Sequence, residues 1–454
     1  MIEHRFSHLP SAVAQPLGEL HLPDERWTDR AVAALEDPTV GDSARAARTL
    51  AAVLDADPKR TLAAGVLEII VELAGASAWA ARLLEAHPAW AAEIGRDAAA
   101  AVGRAPTALG PALFRQGAAL VRSTADDTAA FEAELRDLRN REALRIALRE
   151  LRGADLRETA AELSDLAAVA LQAALDHHRP RLVASAGAPF PECRHLIVGL
   201  GKLGGRELNF SSDIDVLYLY EHDDGRAGEL TSHQFHVRLF ERVTQSLSRL
   251  TDRGRAFRVD TELRPEGRTG PICNSLAGLE RYYETWGRPW ERAVWVKARP
   301  VAGDLELFDE VQRFVRPFVY RRTRDLSVVE GVLDIKAKID ARRRRLGAGF
   351  DVKLGRGGIR EIEFFVQAHQ LLFGGRDPRL RPPGTLDALR ALEVAGRVNA
   401  RDREQLADAY LFFRAVEHRV QLVEDRQTHA LPRGPEADAV ARTLGYADGA
   451  SLEA

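Results

Sequence analysis

The chain has 454 residues, too many for one ordinary hydrophobic core, so two or three domains are expected. Its 64 Lys and Arg against 67 Asp and Glu leave a formal charge of −3, which excludes an overall basic nucleic-acid-binding surface but not a local anion site. Two cysteines, Cys193 and Cys273, far apart and without metal-ligand spacing, exclude a disulfide framework or a cysteine-based zinc site and fit a reducing compartment.

The opening "MIEHRFSHLPSAVAQP" has no apolar signal core, and no apolar run reaches membrane-spanning length. A soluble, cytoplasmic protein with no nucleic-acid or membrane partner is expected. Residues 30–185 read as mostly helix, rich in Ala, Leu, Glu and Arg, with breaks near Pro58, Pro88 and Pro106. In "ELRDLRNREALRIALRELRG", Leu144, Leu148 and Leu151 keep helical spacing. Arg141, Arg145, Arg149 and Arg152 line a second stripe, expected as a solvated helix face, and Gly153 suits a helix stop.

The pattern changes at residue 194. "RHLIVGLG" and "DIDVLYLY" read as buried strands, "FHVRLFERVTQSLSRL" as a helix, and "RAFRVDTEL" as a third strand with near-alternation. From about residue 320 helix returns, in "GVLDIKAKIDARRRRL", "IREIEFFVQAHQLLFGG" and "REQLADAYLFFRAVEHRVQLVED". The expected fold class is α+β, mostly α-helical: a helical N-terminal region (1–185), a small sheet-containing core (186–318) and a C-terminal helical bundle (319–454).

The strand "DIDVLYLY" carries two aspartates at its mouth, where a buried carboxylate without a partner is costly. Strand side chains alternate, so Asp213 and Asp215 project from one side. On the third strand Arg258, Asp260 and Glu262 would share a face, so Asp260 completes a cluster of three if the strands are neighbours. Such a cluster raises its own pKa values unless cations sit among it. Hard oxygen donors favour Mg²⁺ or Mn²⁺, completed by substrate phosphates. An isolated D-x-D after two serines is more commonly a cap or turn. The upstream glycines change that reading: Gly199, Gly201, Gly204 and Gly205 permit close backbone approach to a phosphate, with Lys202 and Arg206 adding charge. A dinucleotide fold is rejected, because the loop reaches a second strand about ten residues on instead of opening a helix, and no acidic ribose ligand sits at the usual spacing.

Glycines, a Ser-Asp-x-Asp strand and a later aspartate together resemble the DNA polymerase β-type nucleotidyltransferase superfamily. Within it, "GLGKLGGRELNFSSDIDVLYLY", "VDTELRPEGRTGP", "WERAVWVKARPVAGD", "KLGRGGIREIEFFVQAHQL" and "EHRVQLVEDRQTHALP" are similar to the glutamine synthetase adenylyltransferase/adenylyl-removing enzymes. Those enzymes carry two catalytic halves, one attaching AMP to a tyrosine of glutamine synthetase and one removing it by phosphorolysis as ADP. The wording "GGRELNFSSDID", and Glu361 in "GGIREIEF", are similar to the removing half. The ending "GYADGASLEA" reads as a cut inside a longer protein.

The resemblance implies a polymerase β-type sheet and a catalytic, metal-holding set of Asp213, Asp215 and Asp260. It implies nucleotide or phosphate contacts from Gly204, Gly205, Ser212, Lys202, Arg206, Arg264, Arg360, Glu361 and Glu363. Mg²⁺ or Mn²⁺, ADP or ATP, phosphate, adenylylated glutamine synthetase and a PII-type signal protein are the implied cofactors and partners. Glu262 departs from the family, standing where many relatives have Arg. Arg264 either forks onto a phosphate or pairs locally with Glu262 or Glu266. Arg356 and Arg360, on a glycine-rich helix start, suit anion binding. The Arg342–Arg345 run is expected to be a solvated face, and Tyr282, Tyr283, Trp286, Trp290 and Trp295 to be core. His177, His178 and His418 lack convergent ligand spacing and receive no role. Two rival readings stand beside removal of AMP: the adenylylating direction, and a regulatory module that binds nucleotide and signal protein without turnover.

Overall fold

In "HLIVG" every residue after His195 is buried, which suits a strand covered on both faces. A computed structural model, describing residues 8–18, 25–56, 64–101, 110–322 and 351–454, builds its main sheet around this strand. β1 (His195–Gly199) runs antiparallel to β2 (Ile214–Tyr220), with Gly199 opposite Val216. A separate two-stranded piece, β3 (Arg226–Ala227) and β4 (Leu230–Thr231), lies off this sheet. β5 (Val259–Asp260) and β6 (Cys273–Ser275) both run parallel to β2, one at its start and one at its end. β7 (Arg299–Gly303) closes the other side of β1.

Alternation along the strands feeds two apolar clusters. Ile197, Ile214, Val216 and Tyr218 join a cluster shared with the helices before residue 186. Leu196, Val198, Leu217 and Leu219 join another, with the helices Leu276–Thr285, Pro289–Val296 and Leu307–Val319. The expected helix after β4 is Ser232–Ser248, started by a capping box between Thr231 and Gln234. The C-terminal helices include Ile359–Phe373, Thr385–Val394 and Ala400–Glu424. The protein is therefore mostly helical around a small mixed sheet. Among the described residues no helix is long and apolar enough to cross a membrane.

Several expectations need correction. The third strand exists but ends at Asp260, because the Asp260 carboxylate accepts the Glu262 amide (2.7 Å) and turns the chain. Glu262 thus leaves the strand face and pairs with Arg268. The glycine segment does open a helix, the single turn Gly201–Gly204.

The arginine stripe is not solvated throughout. Arg145 and Arg149 are each 3% exposed on the helix Thr128–Leu151. Arg145 reaches Glu142 (2.7 Å) and Glu162 (2.8 Å), and Arg149 reaches Glu158 (3.0 Å) and Glu162, clamping this helix to Leu156–Ala186. Arg141 and Arg152 are more exposed and pair with Glu93 and Glu72. Of the aromatic group, Tyr283 and Trp295 are core, whereas Trp286 is 72% and Trp290 38% exposed. The segment "GVLDIKAKIDARRRRL", with Arg342–Arg345, lies outside the described residues, as do Pro58 and Pro106.

Candidate active site

The register of β2 against β5 sets Asp215 directly beside Asp260, with Asp213 one alternation earlier. The parallel pairing is held where the Ile214 amide donates to the Arg258 carbonyl (2.9 Å), while the Leu200 amide donates to the Asp215 carbonyl (2.9 Å) and extends the antiparallel pairing with β1. Burial pushes the Asp215 carboxyl up to about 6, and the neighbouring Asp260 and Asp213 charges add to the rise. The neighbouring strands expected from the sequence do bring Asp260 beside Asp215, with the Asp213 charge within reach.

Their surroundings differ from the sequence expectation. Gly201, at φ +50, is the glycine that matters to them: a Cβ there would stand 2.5 Å from the Asp215 Oδ2. Gly204 is used for packing, since a Cβ would run into the Lys297 carbonyl oxygen. Gly204, Gly205 and Arg206 line a cavity of about 440 Å³ together with Arg299, Gly384 and Arg414. The Arg206 guanidinium is held bidentately by Asp165, at 2.7 and 2.9 Å. Lys202 lies buried with both Glu417 oxygens 2.8 and 2.9 Å from Nζ. Burial pulls the ammonium down to about 7, but those two contacts make this an ionised pair, with Glu417 held well below the carboxylate range. Ser212 accepts the Asn209 amide (3.2 Å) and shapes the turn before Asp213.

Arg264 neither forks onto open space nor pairs with Glu262 or Glu266. It donates to Thr261 O (2.9 Å), Thr261 Oγ1 (2.8 Å) and Gly270 O (3.2 Å), tying the loop after β5. Glu363 is buried against Lys297 (2.8 Å), which also holds Glu207 (2.7 Å). Burial alone would raise the Glu363 carboxyl; Lys297 outweighs it and holds it at about 2. Glu361 is half-buried in the first turn of the same helix. Arg356 is exposed, and Arg360 lies 5.9 Å from the Phe364 ring centroid. Among the described residues, Arg360 and Lys353 enter no ion pair or side-chain hydrogen bond. The Lys353 charge is felt at Asp215, Glu417 and Glu363.

Sequence reasoning missed a further group. Arg258 Nε donates to Asp213 Oδ1, and Gln427 Nε2 donates to Asp213 Oδ2 (3.0 Å). His418, assigned nothing, is fully buried with Nδ1 2.9 Å from Glu150 and Nε2 3.2 Å from Asn209. Arg414 Nη2 donates to Glu207 O (2.7 Å) and Asn209 Oδ1 (2.6 Å). One signal was present: Glu417, His418 and Arg419 are consecutive, so about 200° of a helix otherwise flanked by valines is polar and part of it must be buried.

The donor chemistry of Asp213, Asp215 and Asp260, all carboxylate oxygens, is of the kind a hard divalent cation takes, and the charges of Asp260 and Asp213 are both felt at Asp215. Among the described residues no group of three or more His, Cys, Asp or Glu side chains is arranged to hold a metal ion by itself, so the three aspartates are not a preformed cage. Carboxylates completed by substrate phosphates are what Mg²⁺ commonly uses.

A family model described as glutamate-ammonia ligase adenylyltransferase matches residues 67–313, and one described as GlnD PII-uridylyltransferase matches residues 334–454. The chain is similar to the bifunctional glutamine synthetase adenylyltransferase/adenylyl-removing enzyme of Thioalkalivibrio sulfidiphilus, 41% identical over 390 residues, covering 84% of this chain and 40% of that protein. The enzyme of that name from Burkholderia pseudomallei is 42% identical over 397 residues, covering 83% of this chain and 42% of its own length. The one from Xanthomonas axonopodis pv. citri is 41% identical over 331 residues, covering 70% and 35%. The chain thus spans 40% of the length of the first of these relatives and 42% of the second.

Proposed function

This chain belongs to the family of bifunctional glutamine synthetase adenylyltransferase/adenylyl-removing enzymes, and from that premise we propose that its catalytic core removes AMP from adenylylated glutamine synthetase by phosphorolysis. Adenylyl-tyrosine and phosphate would become tyrosine and ADP, so the core would be a nucleotidyltransferase working as a phosphorylase in the control of nitrogen assimilation. The observation that carries this reading is the placement of Asp213, Asp215 and Asp260 together at the mouth of an apolar strand. The direction is supported by "GGRELNFSSDID" and Glu361, which are similar to the removing half. The match of residues 334–454 supports a PII-type signal protein as partner.

A phosphate oxygen attacks the adenylyl phosphorus in line, a new P–O bond forms as the P–O bond to tyrosine breaks, and the phenolate leaves with its electron pair. A phenol pKa near ~10 makes a strong general acid unnecessary. Asp260, with one oxygen engaged by the Glu262 amide, has the other to take the proton from phosphate. Mg²⁺ or Mn²⁺ held by Asp213 and Asp215, with Asp260 as the third carboxylate beside them, would neutralise charge on the phosphoryl oxygens. Arg360 and Lys353, which enter no ion pair among the described residues, orient the attacking anion, while Lys202 contributes its field from the Glu417 pair. The test is to incubate the chain with adenylylated glutamine synthetase, Mg²⁺ and phosphate and to assay ADP, with Asp213→Asn and Asp215→Asn as folded, inactive controls. Free AMP as product would replace phosphate with water as nucleophile. Efficient ATP-dependent labelling of unmodified glutamine synthetase would assign the opposite direction.

A further inference from the structure

Asp213 is gripped from two sides, and the second grip comes from the far end of the chain. Arg258, beside β5, takes Oδ1; Gln427, 214 residues away in sequence, takes Oδ2 at 3.0 Å. Gln427 is itself exposed, yet the turn that carries it is tied down on either side of it, at Asp425, Thr428 and His429. Asp425, the cap of the helix Ala400–Glu424, sits in left-handed backbone at φ +50, a conformation that needs external support in a residue with a side chain. Arg139 supplies it, holding both Asp425 oxygens at 3.0 and 3.1 Å while also donating to Phe210 O at 3.0 Å. Gln421 accepts the Ser211 amide (3.2 Å) and donates to Thr428 O (3.2 Å). The His429 carbonyl accepts the Val352 amide (3.0 Å).

One frame therefore fixes two things at once: the segment 209–213 that leads into β2, and the turn 425–429 that touches Asp213. Arg139 and Gln421 each bond to both. We propose that Gln427 is a positioning residue for Asp213, so that the C-terminal helical bundle forms one wall of the active site and is required to set its carboxylate geometry. The inference rests on the reading of Asp213 as a catalytic carboxylate. A carboxylate with one free rotamer less is preorganised; without Gln427 it can swing on Arg258 alone, and a transition state that needs one orientation is reached less often.

The experiment uses the full chain with Gln427→Ala, a surface truncation that leaves the buried clamp of Arg139, Gln421 and His418 untouched. Expected is a fall in kcat for AMP removal of about tenfold, the scale for loss of one hydrogen bond to a charged group, with KM for adenylylated glutamine synthetase and the thermal midpoint unchanged. Hydrogen–deuterium exchange, which needs no turnover, should become about fivefold faster over peptides spanning 209–215 and stay unchanged in β1. Unchanged exchange over 209–215 overturns the positioning role whatever kcat does. A raised KM with unchanged kcat also overturns it, making Gln427 a docking contact instead. A wild-type chain without AMP-removing activity would defeat only the proposed function, and the exchange measurement would still decide the role of Gln427.

Discussion

Glu363 offers the sharpest test of how the C-terminal bundle is fastened to the core. It points at the Lys297 ammonium (2.8 Å), which also meets Glu207 (2.7 Å) and Thr385 Oγ1 (3.2 Å) in a pocket where Lys297 is only 4% exposed. A carboxyl brought from its ordinary 4.5 to about 2 has its ionised form favoured in the fold by about 3 kcal/mol. Glu363→Gln should therefore destabilise the chain by about 2–3 kcal/mol at pH 7. Lys297→Met should cost about 3–5 kcal/mol, because it strands two buried carboxylates. The double variant should cost less than the sum, since the residues touch. The assay is urea unfolding of the full chain, followed by far-ultraviolet circular dichroism at pH 7 and pH 4. The folded pKa is depressed, so the stabilisation is present above about 4.5 and fades as pH falls toward about 2; the cost of Glu363→Gln should begin to shrink at pH 4. A Glu363→Gln variant within about 0.5 kcal/mol of wild type at pH 7, with a raised phosphate or nucleotide KM, would refute the reasoning and restore Glu363 as a direct ligand contact.

The two glycines should fail in different ways. Gly201→Ala crowds Asp215 and occupies a positive φ, so turnover should drop steeply with a modest loss of thermal midpoint, whereas Gly204→Ala collides with the Lys297 carbonyl and should lower the midpoint more. Glu162→Leu takes one of two carboxylates from each of Arg145 and Arg149, leaving them Glu142 and Glu158, and a loss of about 1–3 kcal/mol in urea unfolding is expected; no measurable loss would mean the clamp is solvated after all. Burial pushes His236 down to about 4, stacked on Tyr220 at 4.7 Å, so the unfolded chain binds its proton first and stability falls as pH drops from about 6.5 toward 4. His236→Phe should make that acid limb shallower, by about 1.4 kcal/mol per pH unit, in a pH series of midpoints.

Residues near one another in sequence carried their own instructions. The apolar runs of β1 and β2 and the period of the long helices follow from local sterics and burial, and each is readable without a partner. The same holds for the suspicion attached to Asp213 and Asp215, since a carboxylate at the mouth of a buried strand is costly whatever lies around it. Charged side chains carried no such instruction. Arg145 and Arg149 have the spacing of a solvated stripe, and only the docking of Glu162 from the next helix makes them core. Lys202, Arg206, Arg264 and Glu363 look alike as candidate phosphate contacts, yet Glu417, Asp165, the Thr261 and Gly270 carbonyls and Lys297 occupy them. A long charged side chain takes whichever opposite charge the fold brings within about 4 Å, and that partner stands up to 342 residues away, as Glu424 does from Arg82. Composition and periodicity determined the elements and drew attention to the aspartates; which of the candidate cations ended in ion pairs was decided only by the helices packed before and after the sheet.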